Sequence, residues 1–280
     1  MPENIPNNAS SSGNESNSGE PVVIYENVAI AFDEKPVLEN ISFTVQRGET
    51  RIILGPAGCG KSVLMKLANG LLRPDSGTIQ IFGQDVTTMP ETELYQLRAR
   101  IGMVFQESAL FDSLSVEENV AYRLHEDHVP EEETHLRVVE ALKFVELEQA
   151  IDKFPSEISG GMRRRVSIAR AIISKPDLIL YDSPTGGLDP ITSTTIIELV
   201  VKQRDVSHTT SLLITHRLQD AFTLARNRFN PQMGKMELIP DGGIDDSTKF
   251  LVLNEGKVVF DGSTEDLVHT TDPWLKEYIS

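Results

Sequence analysis

The segment Gly55 to Ser62, GPAGCGKS, puts glycine, lysine and a hydroxyl residue at fixed spacing. Glycines at Gly55, Gly58 and Gly60 let backbone N–H groups close around phosphate oxygens, and the helix that follows adds its positive end. In that chemistry Lys61 reaches the β- and γ-phosphates of a nucleotide and the Ser62 hydroxyl ligates Mg²⁺. Pro56, Ala57, Cys59 and Val63 complete the cradle. Downstream, Asp182 ends the apolar run LILYD, as the metal-anchoring acid of a phosphate-loop nucleotidase must. The next residue is Ser183, where enzymes of this kind carry a second acid. A hydroxyl can orient a water but does not take its proton near neutrality. Ser159, Gly160 and Gly161 open the helical pattern GGMRRRVSIARAI and offer a second backbone cradle. His216 stands just past LLIT, at the end of another strand-like run. His125, His128 and His135 lie among acids at helical surface positions, so no metal is expected on them.

Short apolar strands must position these groups. Arg51–Leu54, Ile101–Phe105, Leu178–Tyr181 and Leu212–Thr215 alternate with helical patterns, the rhythm of a mostly parallel α/β sheet. Before them, PVVIYENVAIAF and ISFTVQRGE alternate apolar and polar residues like strands with one buried face. Between the second and third parallel strands lies a largely helical stretch, about 107–173. There Ser115 and Glu118 form a capping box, and Leu136, Val139 and Leu142 give an apolar face. This stretch is expected as a separate helical lobe. The first twenty residues are rich in Asn, Ser, Gly and acid, and are expected as a disordered tail before an ordered domain over 21–280.

The 280 residues carry 42 acids against 26 bases, a net charge of −16. That field repels nucleic acid, so no nucleic-acid partner is expected. A single cysteine, Cys59, excludes an internal disulfide, and no signal peptide is read at the N-terminus, which fits a reducing cytoplasm. No apolar run approaches the roughly 18 residues needed to span a bilayer. Any membrane work needs a second chain to supply the span.

Taken in order, the phosphate loop, Gln106 in VFQ, the Ser159-Gly160-Gly161 cradle, Asp182, Asp189 in GLDP and His216 resemble the ATP-binding cassette (ABC) family. The resemblance covers residue 21 to about 262. It implies a mixed-sheet core with an N-terminal antiparallel β subdomain and an inserted helical lobe, and ATP with Mg²⁺ as cofactors. It also implies a head-to-tail dimer with a second ABC ATPase subunit, a homodimer being favoured, on the cytoplasmic face of a membrane beside a permease. By resemblance, Phe32 stacks on adenine, and Ser62, Gln106 and Asp182 hold Mg²⁺. Ser159, Gly160 and Gly161 contact the γ-phosphate from the opposite subunit with Met162 beside them in the nucleotide site, Asp189 lies in the loop that crosses the dimer, and His216 senses the γ-phosphate. Within the family, FQESALFDSLSVEENVAYRL, Met162 after the signature glycines and DPIT at Asp189–Thr192 look like the ATPases of Mla-type lipid transport systems. Those systems imply an MCE-domain partner and a phospholipid or related amphiphile as cargo.

The chain departs from the family pattern at three places. About 227–248 it carries an unusually long segment, expected as a solvated surface excursion. Cys59 stands where a small hydroxyl residue is commoner, and a thiol beside Lys61 at a helix N-terminus is expected to react with thiol reagents, with ATP protecting it. Ser183 replaces the glutamate that serves as general base, which predicts slow hydrolysis rather than none; Glu107 is a conceivable substitute acid. Three functions fit: a transport ATPase, a regulatory subunit that binds ATP with negligible turnover, or a soluble ATPase of DNA repair or translation.

Overall fold

The computed structural model of the chain describes residues 19–280. The tail expected over 1–20 falls outside the described residues up to residue 18. Glu20 is already tied down, because the Arg47 backbone N–H donates to its carbonyl at 3.1 Å.

Two sheets carry the fold. Strands β1 (Pro21–Phe32), β2 (Lys35–Gln46), β4 (Ser76–Ile81) and β5 (Gln84–Asp85) form an antiparallel sheet in the order β2-β1-β4-β5. A two-residue turn joins β1 to β2, with Asp33 and Glu34 both at positive φ (49° and 62°), the twist that tight hairpins favour. The second sheet orders β12 (Lys257–Ser263), β11 (Thr248–Asn254), β3 (Thr50–Leu54), β8 (Thr210–Ile214), β7 (Leu178–Asp182) and β6 (Ile101–Val104). All its neighbours run parallel except β11 and β12. Every residue of β3 and β8 is buried, as expected of parallel strands covered on both faces.

Successive side chains of a strand point to opposite faces, and the core divides accordingly. Ile52, Leu54, Ile179, Tyr181 and Leu213 pack towards the helices α3 (Val116–Glu126), α4 (Glu131–Phe144), α5 (Gly160–Ile172), α6 (Pro190–Ser207) and α7 (Leu218–Arg226). Ile53, Leu178, Leu180, Leu212 and Ile214 pack towards α1 (Lys61–Ala68) and the antiparallel sheet. Tyr25 ties that sheet to α1: its ring stacks on Phe43 at 4.6 Å, and its hydroxyl donates to the Leu64 carbonyl at 2.7 Å.

The helical stretch between β6 and β7 begins as expected, with Ser115 and Glu118 forming the capping box of α3. It is less separate than expected, because Val120, Leu142 and Val166 join the same hydrophobic cluster as the sheet. The inward face of α4 also differs from the expected one. Leu136 and Val139 are exposed, while Val138, Ala141 and Leu142 are buried. Two apolar positions of that helix face solvent, and the small Ala141 takes an inward place instead.

The segment 227–248 is ordered rather than a solvated excursion. Strands β9 (Asn227–Asn230) and β10 (Lys235–Leu238) pair as an antiparallel hairpin. Phe229 and Met236, opposite each other, pack on the main cluster, and Glu198 of α6 accepts the Met236 N–H at 2.7 Å. At its root the buried Arg204 pairs with Asp205 and Asp245 and donates to the Asn227 carbonyl at 2.7 Å.

Candidate active site

Strand register brings the separated motifs to one edge. Ile53 pairs with Ile214, and Ile214 pairs with Asp182, so the phosphate loop, His216 and Asp182 all leave the C-terminal edge of neighbouring strands. Val104 pairs with Tyr181, which puts Gln106 at the same edge. With strands about 4.8 Å apart, Ile53 and Asp182 are separated by about 10 Å. Open α/β sheets bind their ligands at this edge.

The phosphate loop carries its glycines where only glycine fits. Gly60 has φ 100°, and an added β-carbon would lie 2.5 Å from Leu38 Cδ2. Gly55 has φ 148°, and an added β-carbon there would meet the Leu253 carbonyl at 2.3 Å. Pro56, Ala57, Gly58 and Ser62 are exposed, and Val63 is half-buried. The Lys61 ammonium folds back into the loop, donating to the Gly55 and Pro56 carbonyls at 2.8 and 2.7 Å. A cation held over inward carbonyls is matched to an arriving anion. Cys59 is 7% exposed and packs with the sheet face. It therefore presents little surface to thiol reagents, against the ready alkylation expected from its position. Phe32 is 44% exposed at the end of β1, no part of the core.

Around the far strands, Asp182 is half-buried and Ser183 sits beyond it at φ 48°, its hydroxyl 3.4 Å from Asp182 Oδ1. Gln106 and Glu107 are exposed and line a cavity of about 330 Å³ with Gly160, Arg163, Arg164 and Gly186. Ser159 caps α5, accepting the Met162 N–H at 3.2 Å, and Gly161 approaches Thr192 so closely that a β-carbon would sit 2.5 Å from Thr192 Cγ2. Asp189 caps α6. It accepts the N–H groups of Ile191 and Thr192 at 3.1 and 3.0 Å and the Thr192 hydroxyl at 2.6 Å, and these bonds, the hydroxyl first, hold its pKa below the usual carboxylate range. His216 is exposed, and the next residue, Arg217, reaches Ser193 Oγ at 2.5 Å. His125 and His135 pair with Glu131 and Glu117 at the surface.

Several contacts to this edge had no local signal in the sequence. Arg164 is 4% exposed and donates to the carbonyls of Phe105, Ser183 and Gly186. Burial lowers its pKa, and the Glu107 carboxylate opposes that shift. Arg170 donates to the Ser108 and Ala109 carbonyls at 2.9 and 2.7 Å. From the far end of the chain, helix α9 (Pro273–Ile279) brings the Tyr278 hydroxyl to accept the Gly55 N–H at 2.9 Å. The one available hint was a run of arginines inside an otherwise apolar helical pattern.

Comparison with known proteins bears on this arrangement. The sequence profile described as ABC transporter matches residues 38–186, more than half of the chain. The chain belongs to the ABC transporter family. It is 33% identical over 255 residues to the intermembrane phospholipid transport system ATP-binding protein MlaF of Haemophilus influenzae, covering 91% of this chain and 88% of that protein. It is 37% identical over 206 residues to the methionine import ATP-binding protein MetN of Bifidobacterium longum, covering 71% of this chain. It spans only about half, 51%, of that relative. Among solved structures, it resembles an ATP-binding cassette dimer in a post-hydrolysis state bound to ADP and Pi, with a TM-score of 0.72 and 28% identity over 86% of this chain and 98% of that one.

As an ABC cassette the chain has ATP and Mg²⁺ as its cofactors, and the donors at the sheet edge suit that pair. Ser62, Asp182 and Gln106 offer hard oxygens, which Mg²⁺ prefers. Among the described residues, the Asp182 carboxylate has only the long contact with Ser183 as a side-chain partner, so its oxygens are not spent elsewhere. Among the described residues no helix is long and apolar enough to cross a membrane. Beside β6 lies an apolar groove of about 310 Å³ lined by Ile101, Met103, Phe105, Phe111, Tyr122 and Arg170. Phe111 and Tyr122 are exposed with ring centroids 4.8 Å apart.

Proposed function

We propose that this cassette energises the movement of a phospholipid or related amphiphile through a separate permease, with hydrolysis slowed at Ser183. What supports the cargo assignment is the extent of the likeness to MlaF, which runs nearly end to end in both chains, whereas the MetN likenesses, though 37 to 38% identical, stop at between half and two thirds of MetN. Phe32 receives adenine on its exposed ring. Backbone N–H groups from Gly58 to Val63 hold the α- and β-phosphates, and Lys61 leaves the Gly55 and Pro56 carbonyls for the β- and γ-phosphates. When bound, Mg²⁺ supplies charge neutralisation at the terminal phosphates, held by Ser62, Asp182 and Gln106. Ser159, Gly160, Gly161 and Met162 face the γ-phosphate of the opposite subunit, and Asp189 caps the loop between the subunits. His216 reports the γ-phosphate.

Gln106 and the Ser183 hydroxyl orient the attacking water. Without a carboxylate the proton has no strong acceptor in place. Positioned general bases contribute about 10²- to 10⁴-fold, so hydrolysis resting on positioning and charge alone is slow. The groove beside Gln106, with its paired aromatics, suits an apolar permease segment and links that docking to the water-orienting loop. An MCE-domain protein on the far side of the membrane completes the system.

A reading as a regulatory ATP-binding subunit is favoured by one observation, the serine itself. Phosphate release from the purified permease complex separates the two. Ser183→Glu is expected to raise turnover by about 10²-fold or more. Native turnover equal to that of the variant sinks the slowed site, and Glu107→Gln then shows whether Glu107 takes the proton. Native turnover indistinguishable from Lys61→Ala supports the regulatory subunit. Stimulation by phospholipid rather than methionine supports the cargo, and the reverse overturns it.

A further inference from the structure

We propose that Arg164 is a positioning residue for ATP hydrolysis, holding the Ser183 turn and the Gln106 loop in register from the signature helix α5. The geometry carries this. Arg164 Nη1 donates to the Phe105 carbonyl at 2.9 Å and, in a long contact, to the Ser183 carbonyl at 3.5 Å. Its Nη2 donates to the Gly186 carbonyl at 3.3 Å, and among the described residues its Nε has no partner. Phe105 immediately precedes Gln106, Ser183 follows Asp182, and Gly186 opens the path to Asp189. One buried guanidinium therefore joins the backbone of three segments, those that carry Gln106, Ser183 and Gly186.

The turn it holds is one that a residue with a β-carbon resists. Ser183 lies at φ 48°, in the left-handed region, and such residues persist where their surroundings over-determine them. The Gly186 N–H also donates to the Ser183 carbonyl at 2.9 Å, so the same oxygen is fixed from two sides. Farther along α5, Arg170 holds the carbonyls of Ser108 and Ala109, themselves at φ 66° and 48°. Arg165, between them, faces away and donates to Val145 and Glu146 at 3.1 and 3.2 Å.

The chemical consequence follows from the missing carboxylate. A glutamate tolerates some slack because it takes the proton itself. A serine contributes only orientation, so the rate depends on where the backbone puts its Oγ and the Gln106 amide. The planar, always charged guanidinium reaches three carbonyls at once, which a lysine cannot reproduce.

This inference rests on the reading that the Ser183 turn faces the γ-phosphate, and the experiment separates the two. Steady-state phosphate release against ATP concentration is measured for the full chain in its permease complex, in native form and as Arg164→Gln, Arg164→Lys and Arg165→Gln. Arg164→Gln is expected to lower kcat by about 10- to 100-fold with KM for ATP within about twofold, since small misplacements of reacting groups cost that much. Arg164→Lys is expected to recover little, and Arg165→Gln to turn over like the native chain. Guanidinium added to Arg164→Ala is expected to restore part of kcat and to do nothing for Arg165→Ala. Equal losses in the two glutamine variants, or a raised KM with kcat retained, overturn the assignment.

If thermal melting shows that Arg164 variants unfold, Gly186→Ala replaces them. Its β-carbon would sit 3.1 Å from the Ser183 carbonyl and 3.5 Å from Gln106 Cγ, shifting the same turn without emptying the core. A kcat untouched by that change overturns the inference as well. Failure of Ser183→Glu to change turnover counts instead against the facing of Ser183, and leaves the Arg164 against Arg165 comparison to be read independently.

Discussion

At the scale of single residues, the site is built from groups whose neighbours leave them few alternatives. Gly60 at φ 100° against Leu38 is one. Gly60→Ala is expected to abolish ATP binding measured by isothermal calorimetry, because the strained loop must open to admit the β-carbon. Asp189 is another, since the Thr192 hydroxyl lowers its pKa. The sign follows from that direction: a carboxylate depressed in the folded state contributes its cap above the ordinary carboxylate range, and loses it as pH falls through the depressed value. Thr192→Val is expected to move the Asp189 titration upward, read by carboxyl NMR shifts, and so to begin the loss of the cap at higher pH. The placement of Lys61, Asp182 and His216 after strands of one sheet was legible in the sequence because each follows or ends an apolar run. Arg164 and Tyr278 were not, because their partners at Phe105 and Gly55 lie 59 and 223 positions away.

At the scale of elements, the strands of the parallel sheet were readable as unbroken apolar runs, since burial on both faces removes any alternation to misread. The hairpin β9–β10 escaped notice for the opposite reason. Its Pro, Gly and polar residues look like a loop, and only Phe229 and Met236 reveal a face that docks on α6. Its anchor is Arg204, 3% exposed, which serves Asp205, Asp245 and the carbonyls of Leu224 and Asn227. Removing one partner of a buried ion pair strands the others, at a cost of about 3 kcal/mol or more. Arg204→Ala is therefore expected to lose about that much in denaturant unfolding, while Met233→Ser at the 65% exposed hairpin tip is expected to be silent. A similar device shapes the groove beside β6. The fully buried Asn119 donates to the carbonyls of Phe111, Leu114 and Ser115, each at 3.0 Å, and accepts the Phe111 N–H at 2.8 Å.

At the scale of the whole molecule, the proposed dimer has each chain supply two separate half-sites, both completed by the same partner subunit. The phosphate loop ends β3, whereas the signature cradle opens α5, inserted between β6 and β7 and adjoining the cavity with Gln106 and Gly186. Ile191, 82% exposed in the first turn of α6 beside the Asp189 cap, leaves an apolar side chain next to the loop proposed to cross between subunits. If the sites are composite, a chain with Lys61→Ala and a chain with Gly160→Asp are each inactive as homodimers, because both sites of each lack one half. Mixed, they form dimers in which one site pairs the intact Lys61 of one chain with the intact Gly160 of the other. Random pairing of equal amounts makes half the dimers mixed, with one good site of two, so about a quarter of the native turnover is expected for independent sites in a closed two-fold dimer. Phosphate release from the mixture, against each variant alone at the same total concentration, measures this. Activity that stays at the level of the separate variants means that the two halves do not meet across a dimer, or that both sites must fire together. A mixed dimer carrying native Lys61 and Gly160 on one chain distinguishes these: it holds no intact composite site when the partner carries both substitutions, so any turnover it shows comes from a site completed within one chain.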